Sequence, residues 1–357
     1  MRILSIDGGG IRGLIVLIVL RDMEAVTGRR VHELFDVFCG VSVGAMIAAM
    51  LKMGKWTCAE LIEIFKRNGK ILFSKASPLS IAGSGLFVPK YSAATYGNEL
   101  RKILGADLMM SDLPCFITYA YDTISRSPVI FTGDKWHVAK PTCANPVSID
   151  TRNCIETTKT QSRSIGSETT KTQPKQCNYT ENTVNSEIAT IDINVWMACV
   201  ASASAPVFFP PFKDIAGRNL IDGGVAANNP AAFIYSYCTK NYSSAVQYML
   251  SIGTGDTAKS ISPDVMRGIR QIENIIDICL EAPNDFNDYI VRQVLGDKYF
   301  RLQTHISDIK LDDIHSFKKL ENAAMVIIES EEYRRFLSTV IKDLRKTDKH
   351  TKMCPRT

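Results

Sequence analysis

The sequence RILSIDGGGIRG at residues 2–13 decides the fold of this chain, because each part of it predicts a different local structure. Arg2 to Ile6 is mostly apolar and predicts a short buried strand. The glycines after Asp7 predict a turn, and the apolar segment from Ile11 to Glu24 predicts a helix. The chain is therefore expected to begin with a strand, a glycine loop and a helix.

The same order of elements repeats directly afterwards. Residues 34–39 predict a second strand, the segment GVSVG at residues 40–44 predicts a tight turn, and residues 45–53 predict a helix. Two strand–loop–helix units in succession predict a parallel sheet, and thus an α/β fold. Later segments predict strands at residues 115–121, 129–132 and 247–252, and helices at residues 58–72, 94–104, 193–201, 265–281, 285–295 and 317–344.

A polar segment interrupts this pattern between about residues 141 and 189. Thr, Ser, Lys, Gln and Asn dominate there, and the hexapeptide ETTKTQ occurs twice, at residues 156–161 and 168–173. A segment with so few apolar residues cannot bury enough surface to fold alone, so the sequence predicts a disordered insertion. We expect one catalytic domain over residues 1–257 that contains this insertion. Residues 258–357 are expected to form a helical region with a basic tail, packed on the same domain.

Composition excludes several classes of protein. Of the 357 residues, 45% are hydrophobic and 22% are charged, as in soluble globular proteins. The net charge of +5 is too small for a nucleic-acid-binding surface, and no apolar run approaches the roughly 20 residues of a transmembrane helix. The ten cysteines form no Cys-x-x-Cys pair or Cys/His cluster, so we expect reduced thiols, no metal site and no cofactor. Because no signal-peptide pattern is present, we expect an intracellular, cytoplasmic protein, and the oligomeric state stays open.

Ser42 is the candidate nucleophile. It lies at the centre of Gly40-Val41-Ser42-Val43-Gly44, between a predicted strand and a predicted helix, which is the arrangement of a nucleophile elbow. Gly40 and Gly44 permit the strained turn that exposes the serine hydroxyl. The positive end of the following helix would stabilise the negative charge that forms when a serine attacks a carbonyl carbon. The segment thus predicts acyl transfer through Ser42.

The glycine loop supplies a second candidate group. Its successive backbone N–H groups are suited to bind a developing oxyanion, and Arg12 adds positive charge beside Gly13. The residues expected to form this oxyanion site are Gly8, Gly9 and Gly10. The same glycine spacing occurs in dinucleotide-binding folds, but that interpretation requires an acidic residue at the end of the next strand. Here the next strand leads into the serine turn instead.

Asp222 is the stronger of two candidates for the base that removes the serine proton. A predicted strand delivers its carboxylate to a turn formed by Gly223 and Gly224, at the same end of the sheet as Ser42. His305 follows in the chain order Ser, Asp, His of α/β-hydrolases and gives an alternative triad. A lone histidine is more often a surface or core residue, so the sequence favours the aspartate.

Together these motifs resemble the signatures of the patatin-like phospholipase family. The matching segments are DGGGIRG at residues 7–13, GVSVG at 40–44, ASASAP at 201–206, DGG at 222–224, NNP at 228–230 and SIGTG at 251–255. The likeness is nearest to the calcium-independent phospholipase A2 branch, especially its gamma-like members. The resemblance implies a three-layer α/β/α sandwich with a mostly parallel central sheet.

The resemblance also implies a function. It implies a dyad of Ser42 and Asp222 without histidine, an oxyanion hole from Gly8 to Gly10, and calcium-independent hydrolysis of fatty acyl esters in membrane phospholipids. The partner would be a phospholipid membrane surface, bound peripherally and transiently. Two other interpretations stay open: an esterase whose triad includes His305, and an inactive lipid-binding protein on the same fold.

Two regions are candidates for membrane contact. Leu86, Phe87, Phe208 and Phe209 lie in apolar loops and would insert into lipid if exposed, or belong to the core if buried. Six Lys and Arg residues from Lys342 to the carboxyl end favour an anionic surface, although a basic helix end usually faces water.

Overall fold

The computed structural model of the chain describes residues 1–73, 89–134, 189–214, 217–256, 270–306 and 309–353. The predicted polar insertion, apart from residue 189, lies outside these residues. The loop that carries Leu86 and Phe87 lies outside them as well, as do the last four residues of the basic tail.

The strands among the described residues form one sheet. They are β1 (Arg2–Ile6), β2 (Val37–Gly40), β3 (Phe116–Asp122), β4 (Ser127–Thr132), β5 (Ala189–Ile191), β6 (Phe212–Lys213), β7 (Asn219–Asp222), β8 (Tyr248–Ile252) and β9 (Tyr299–Leu302). Their order is β5-β4-β3-β2-β1-β8-β9, and β7 pairs with both β3 and β6. Five of the eight strand pairs described are parallel, which confirms the predicted α/β fold with a mostly parallel sheet.

Helices cover this sheet and supply most of the core. The helices described are α1 (Leu14–Thr27), α2 (Val31–Leu34), α3 (Val43–Met53), α4 (Cys58–Phe73), α5 (Ala93–Leu104), α6 (Val195–Ser202), α7 (Gly224–Ala227), α8 (Ala231–Asn241), α9 (Arg270–Leu295), α10 (Phe317–Ile328) and α11 (Glu331–Met353). Every residue from Leu14 to Leu20 is buried, and α1 packs against α4 and α10. A helix that is apolar on every face must be covered on all sides, which explains this uninterrupted apolar run.

Several predicted boundaries differ from those in the structure. A strand is predicted over residues 34–39, but Leu34 is the last residue of α2 and β2 begins at Val37. The helix predicted over residues 317–344 is two helices, because the Ser330 hydroxyl accepts the N–H of Tyr333 at 3.2 Å and caps the start of α11. Conversely, α9 is one helix where two were predicted, and it contains Pro283 in its interior.

One edge of β3 brings β2 and β7 together. The first residues of β3 pair in parallel with β2, with Ile117 opposite Cys39. Its last residues pair antiparallel with β7, with Ala120 opposite Asp222, while β4 occupies the other edge along its length. Strands β2 and β7 therefore lie end to end along one edge of β3, and their carboxyl ends meet.

Strand β1 aligns the loops that surround this meeting point. It lies between β2 and β8, with Ile6 opposite Gly40 on one side and Ile252 on the other. All three strands are parallel, so the glycine loop after β1, Ser42 after β2 and the segment 253–255 after β8 leave the sheet at the same end.

Candidate active site

Ser42 lies in a strained turn between β2 and α3. Its backbone angles are φ 55° and ψ −127°, a conformation that non-glycine residues rarely adopt and that costs about 1–3 kcal/mol. The turn is tight on both sides, because a Cβ on Gly40 would lie 2.1 Å from the Gly44 carbonyl oxygen. A Cβ on Gly44 would lie 2.4 Å from the Ile6 carbonyl oxygen. Both positions must therefore be glycine, as a nucleophile elbow requires.

The Ser42 hydroxyl donates directly to Asp222. The distance from Ser42 Oγ to Asp222 Oδ2 is 2.7 Å, and the other carboxylate oxygen accepts the backbone N–H of Gly224 at 2.7 Å. Gly223 packs against β3, since a Cβ there would lie 2.3 Å from the Tyr119 carbonyl oxygen. The structure thus brings Ser42, Asp222, Gly223 and Gly224 together.

The environment of Asp222 raises its basicity. The side chain is buried, and this burial raises the pKa of Asp222 to about 6, although hydrogen bonds from Ser42 and the Gly224 N–H act in the opposite direction. A carboxylate with this pKa is mostly ionised at neutral pH and binds a proton more readily than an ordinary aspartate. These are the properties of a general base.

Ser202, at the end of α6, joins the two halves of the site. Its hydroxyl oxygen accepts the Ser42 N–H at 3.0 Å and the Thr118 hydroxyl at 3.0 Å, and its carbonyl accepts the Gly223 N–H at 3.1 Å. The neighbouring Ser204 carbonyl accepts the Asp222 N–H at 3.0 Å. The segment at residues 201–206 is one of the motifs that carry the family resemblance, but the sequence alone gives Ser202 no role.

The glycine loop lies against the serine, and its N–H groups are not equivalent. A Cβ on Gly8 would lie 3.1 Å from the Ser42 Cβ, so the loop passes directly beside Ser42. The Gly8 N–H, however, donates to the Asn228 carbonyl at 3.2 Å. Within the described residues, no hydrogen bond occupies the N–H of Gly9 or of Gly10. The prediction of an oxyanion site from Gly8, Gly9 and Gly10 is therefore wrong for Gly8, because its N–H already donates to Asn228. Among the described residues, the N–H groups of Gly9 and Gly10 are the ones available to bind an oxyanion.

Arg12 and Gly13 connect the loop to the surrounding elements. Arg12 is buried, its Nε donates to the Ile309 carbonyl at 2.9 Å, and its side chain lines the cavity described below. Gly13 allows α3 to approach, since a Cβ there would lie 2.9 Å from the Ile47 Cδ1.

A buried ion pair holds the start of the glycine loop. Asp7 receives two hydrogen bonds from the Arg301 guanidinium, at 2.9 and 2.6 Å, and the same guanidinium donates to the Ser251 hydroxyl at 2.8 Å. Burial raises the pKa of Asp7 even though the arginine charge opposes this. The sequence did not predict a role for Arg301, because nothing in the local sequence around β9 indicates a partner near the amino terminus.

His305 does not join the site. Its Nδ1 pairs with Asp256, and its side chain is 77% exposed. In a triad the imidazole stands between the serine and the aspartate, whereas here those two side chains are in direct contact. No histidine occurs among the described residues that line the cavity around Ser42.

Ser42 and Asp222 open into a large cavity with apolar walls. The cavity encloses about 1150 Å³, including the part open to solvent, and Ser42, Asp222 and the glycine loop form its polar end. Apolar side chains from α4, α5 and the segment before β6 line the rest, among them Leu72, Phe73, Leu100, Ile103, Phe208 and Phe209. Such a cavity suits a long hydrocarbon chain with one polar reacting group.

The two described candidates for lipid insertion belong to these walls. Phe209 is only 8% exposed and stacks on Tyr96 with ring centroids 5.2 Å apart. Phe208 is half-buried, with the Lys90 ammonium 5.5 Å from its ring centroid. The hypothesis that Phe209 inserts into lipid is therefore wrong, because its ring is already covered by protein.

The described residues provide neither a metal site nor a membrane-spanning helix. In the part of the chain that the structure describes, no three His, Cys, Asp or Glu side chains lie together in a way that could hold a metal ion. Among the helices described, none combines the length and the apolar character needed to cross a membrane.

Several known proteins are similar to this chain in sequence. The family model described as patatin-like phospholipase matches residues 4–234. The chain is similar to calcium-independent phospholipase A2-gamma of Oryctolagus cuniculus, with 28% identity over 260 residues that cover 71% of this chain and 28% of that protein. It is similar to phospholipase A I of Arabidopsis thaliana, with 25% identity over 284 residues, 71% of this chain and 21% of that protein. Patatin-like protein 1 of Arabidopsis thaliana is 23% identical over 379 residues, 90% of this chain and 78% of that protein. The chain thus spans 28% and 21% of the length of the first two relatives.

Proposed function

Because the chain belongs to the patatin-like phospholipase family, we propose that it is a serine hydrolase of the phospholipase A type that cleaves fatty acyl esters of membrane phospholipids. The family match agrees with the resemblance found in the motifs. The observation that carries the proposal is the direct 2.7 Å hydrogen bond from Ser42 to Asp222 at the polar end of an apolar cavity.

The acylation step follows from this geometry. Asp222 accepts the hydroxyl proton while Ser42 Oγ forms a bond to the ester carbonyl carbon, and the carbonyl oxygen becomes a negatively charged oxyanion. The free N–H groups of Gly9 and Gly10 and the positive end of α3 stabilise that charge. When the tetrahedral intermediate collapses, the ester C–O bond breaks, Asp222 returns the proton to the leaving oxygen, and a lysophospholipid departs.

Deacylation uses the same groups in a second cycle. Water replaces the lysophospholipid, Asp222 takes a proton from it, and the resulting hydroxide attacks the acyl carbon of the ester on Ser42. The oxyanion again forms at the glycine loop. When it collapses, the bond from the acyl carbon to Ser42 Oγ breaks, Asp222 returns the proton to Oγ, and the fatty acid is released. Because the N–H groups and the helix dipole stabilise the charge, we propose that turnover does not depend on calcium.

An exposed apolar face of α9 is our proposal for the membrane contact. Phe286, Tyr289, Ile290 and Val294 follow helical spacing along one face, and each is at least 37% exposed. Asn284, on the opposite side of α9, is buried and lines the cavity. Four side chains of this size expose an apolar surface area on the order of a few hundred Å². A stable dimer buries roughly 800 Å² per partner, so we assign this face of α9 to contact with a lipid surface.

The first experiment measures fatty acid release from mixed phospholipid vesicles with and without a calcium chelator. We expect release by the wild type in both conditions, loss of release in Ser42→Ala and Asp222→Asn, and unchanged release in His305→Ala. Loss of activity in His305→Ala would favour the triad esterase over the dyad. Vesicle binding by a wild type that hydrolyses no phospholipid, galactolipid or neutral lipid would favour a binding protein of the same fold.

The membrane face has its own test. Replacing Phe286, Tyr289 and Ile290 by Ser should lower vesicle binding at least about tenfold, because each large apolar side chain buried in lipid contributes about 1.5–3 kcal/mol. Hydrolysis of a soluble short-chain ester should be unchanged. Replacing the exposed Met325 and Val326 of α10 by Ser is the matched control, and equal losses in both variants would contradict the proposal.

A further inference from the structure

The carbonyl oxygen of Gly8 is held by two side chains. Thr254 Oγ1 donates to it at 2.6 Å, and Asn228 Nδ2 donates to it at 3.4 Å. Both side chains are buried, so water does not compete for these hydrogen bonds. The shorter contact, from the threonine hydroxyl, is the stronger of the two.

This anchoring fixes the direction of the next N–H group. The Gly8 carbonyl and the Gly9 N–H belong to one peptide unit, which is planar and trans. The two groups of a trans peptide point in opposite directions, so a carbonyl held by Thr254 turns the Gly9 N–H away from Thr254. That N–H has no acceptor among the described residues, and Gly9 lines the same cavity as Ser42.

The sheet register explains why Thr254 reaches this peptide. Ile6 of β1 lies opposite Ile252 of β8, and Gly8 and Thr254 each follow two residues later. The segment around Thr254 is itself held, since the Gly253 N–H donates to the Leu302 carbonyl at 2.8 Å. The Gly255 N–H likewise donates to the Gln303 Oε1 at 2.9 Å, so the backbone that delivers the threonine hydroxyl is held on both sides of Thr254.

The fit between Thr254 and the loop is close. A Cβ on Gly9 would lie 2.1 Å from the Thr254 Oγ1, so only glycine allows this approach. A donor to a carbonyl oxygen also polarises the peptide and strengthens the N–H at its other end as a hydrogen-bond donor. Thr254 thus has two ways to act on the Gly9 N–H, through orientation and through polarisation.

We propose that Thr254 is a positioning residue for the oxyanion site, whose hydroxyl holds the Gly8–Gly9 peptide with the Gly9 N–H directed at the developing oxyanion. This inference rests on the proposed function. Thr254 lines the cavity but takes no part in bond making or proton transfer in this scheme, and it acts on the reaction through the peptide.

The test compares Thr254→Val, which removes the hydroxyl at constant shape, with Thr254→Ser, which keeps it. We expect Thr254→Val to lower kcat about 10- to 100-fold, less than the roughly 10²–10³-fold lost with an oxyanion donor itself, and to change KM less than about threefold. Thr254→Ser should recover most of the wild-type kcat. Thr132→Val is the matched control, since Thr132 is 4% exposed against 3% for Thr254 and lies outside the site.

A second readout separates positioning from general structure. A fatty alkyl trifluoromethyl ketone forms a hemiketal with Ser42 whose oxygen carries the same negative charge as the intermediate. Its affinity should fall in Thr254→Val by the same factor as kcat, while the affinity of the methyl carbinol of equal chain length stays constant. Thermal unfolding of each variant accompanies these assays, and Thr254→Ala provides the same comparison if the valine variant does not fold.

The outcomes discriminate between the two claims. If the wild type releases no fatty acid in a manner that requires Ser42, the proposed function fails and the positioning role fails with it. If the wild type is active and Thr254→Val has wild-type kcat and ketone affinity, only the positioning role is overturned. An equal loss of ketone and carbinol affinity, or a failure of Thr254→Ser to recover activity, would also overturn it.

Discussion

Replacement of Asp222 by Asn should remove catalysis and, at the same time, stabilise the protein at neutral pH. Asparagine has nearly the same shape, and its Oδ1 can still accept the Gly224 N–H, but it cannot accept the proton of Ser42. Loss of a general base is expected to lower kcat about 10²- to 10⁴-fold. The gain in stability has a separate cause.

That cause is the burial of a charged carboxylate. Burial raises the pKa of Asp222 from its ordinary value of 3.8 to about 6, which is a difference of about 2 pKa units. Each unit corresponds to about 1.4 kcal/mol, so ionisation costs the folded state about 3 kcal/mol relative to the protonated acid. Asparagine is neutral at every pH, and we expect Asp222→Asn to raise the free energy of unfolding by about 1–3 kcal/mol above pH 7.

The gain in stability from Asp222→Asn should be present at high pH and disappear at low pH. Because the folded pKa of Asp222 lies above the unfolded value, the folded wild type holds its proton more tightly and loses stability as the pH rises from about 4 to about 6. Near pH 4 the folded carboxyl group is protonated and the unfolded one is about half protonated, so most of the difference in stability has disappeared. The two proteins should then unfold at nearly the same denaturant concentration.

The assay is urea unfolding of wild type and Asp222→Asn at pH 4 and pH 8, followed by tryptophan fluorescence. Asp122→Asn is the matched control: burial raises the pKa of Asp122, but hydrogen bonds from Ser125, Ile124 and Asn219 outweigh it and the net pKa is lowered. This control should lose stability at pH 8. An Asp222→Asn variant no more stable than wild type at pH 8 would refute the reasoning.

Three further predictions concern the same site. The kcat/KM of the wild type should fall about tenfold between pH 7 and pH 5. A base with a pKa of about 6 is about 90% ionised at pH 7 and about 10% ionised at pH 5. A flat pH profile of kcat/KM would exclude Asp222 as the base. Arg301→Leu should lower the free energy of unfolding by about 3–5 kcal/mol in denaturant titration, since it leaves Asp7 charged and buried. A loss of less than about 1 kcal/mol would contradict this account of the ion pair. Gly44→Ala should abolish fatty acid release, because its Cβ would lie 2.4 Å from the Ile6 carbonyl oxygen, and near-normal release would show that the elbow can relax.

The sequence predicted the elements whose signal is local. The first two strand–loop–helix units follow from apolar runs interrupted by glycine, and the structure has both of them. The strand predicted from residue 34 begins later because Glu33 accepts the Arg30 N–H at 2.7 Å and thereby stabilises α2, a polar contact that an apolar pattern does not reveal.

Other parts of the site depend on contacts between distant segments. Arg301 meets Asp7 across 294 positions, and Ser202 meets Ser42 across 160, so neither pairing has a local signature. Likewise, three glycines in a row predict three available donors, and only the position of Asn228 shows that the first is already used. Phe209 has a residue type suited equally to core and membrane, and its burial follows from the packing of α5 against it.

Strands β2 and β7 pair along the same edge of β3, so the register of these strands sets the distance between Ser42 and Asp222. A slip of β7 by one residue would move the Asp222 backbone about 3.3 Å along β3 and turn its side chain to the other face of the sheet. Residues 135–188 lie in the sequence between β4 and β5, outside the stretches of β2, β3 and β7 that set this register. Changes in the length of that segment are therefore expected to leave the dyad intact, whereas one residue inserted within β7 would separate Ser42 from its base.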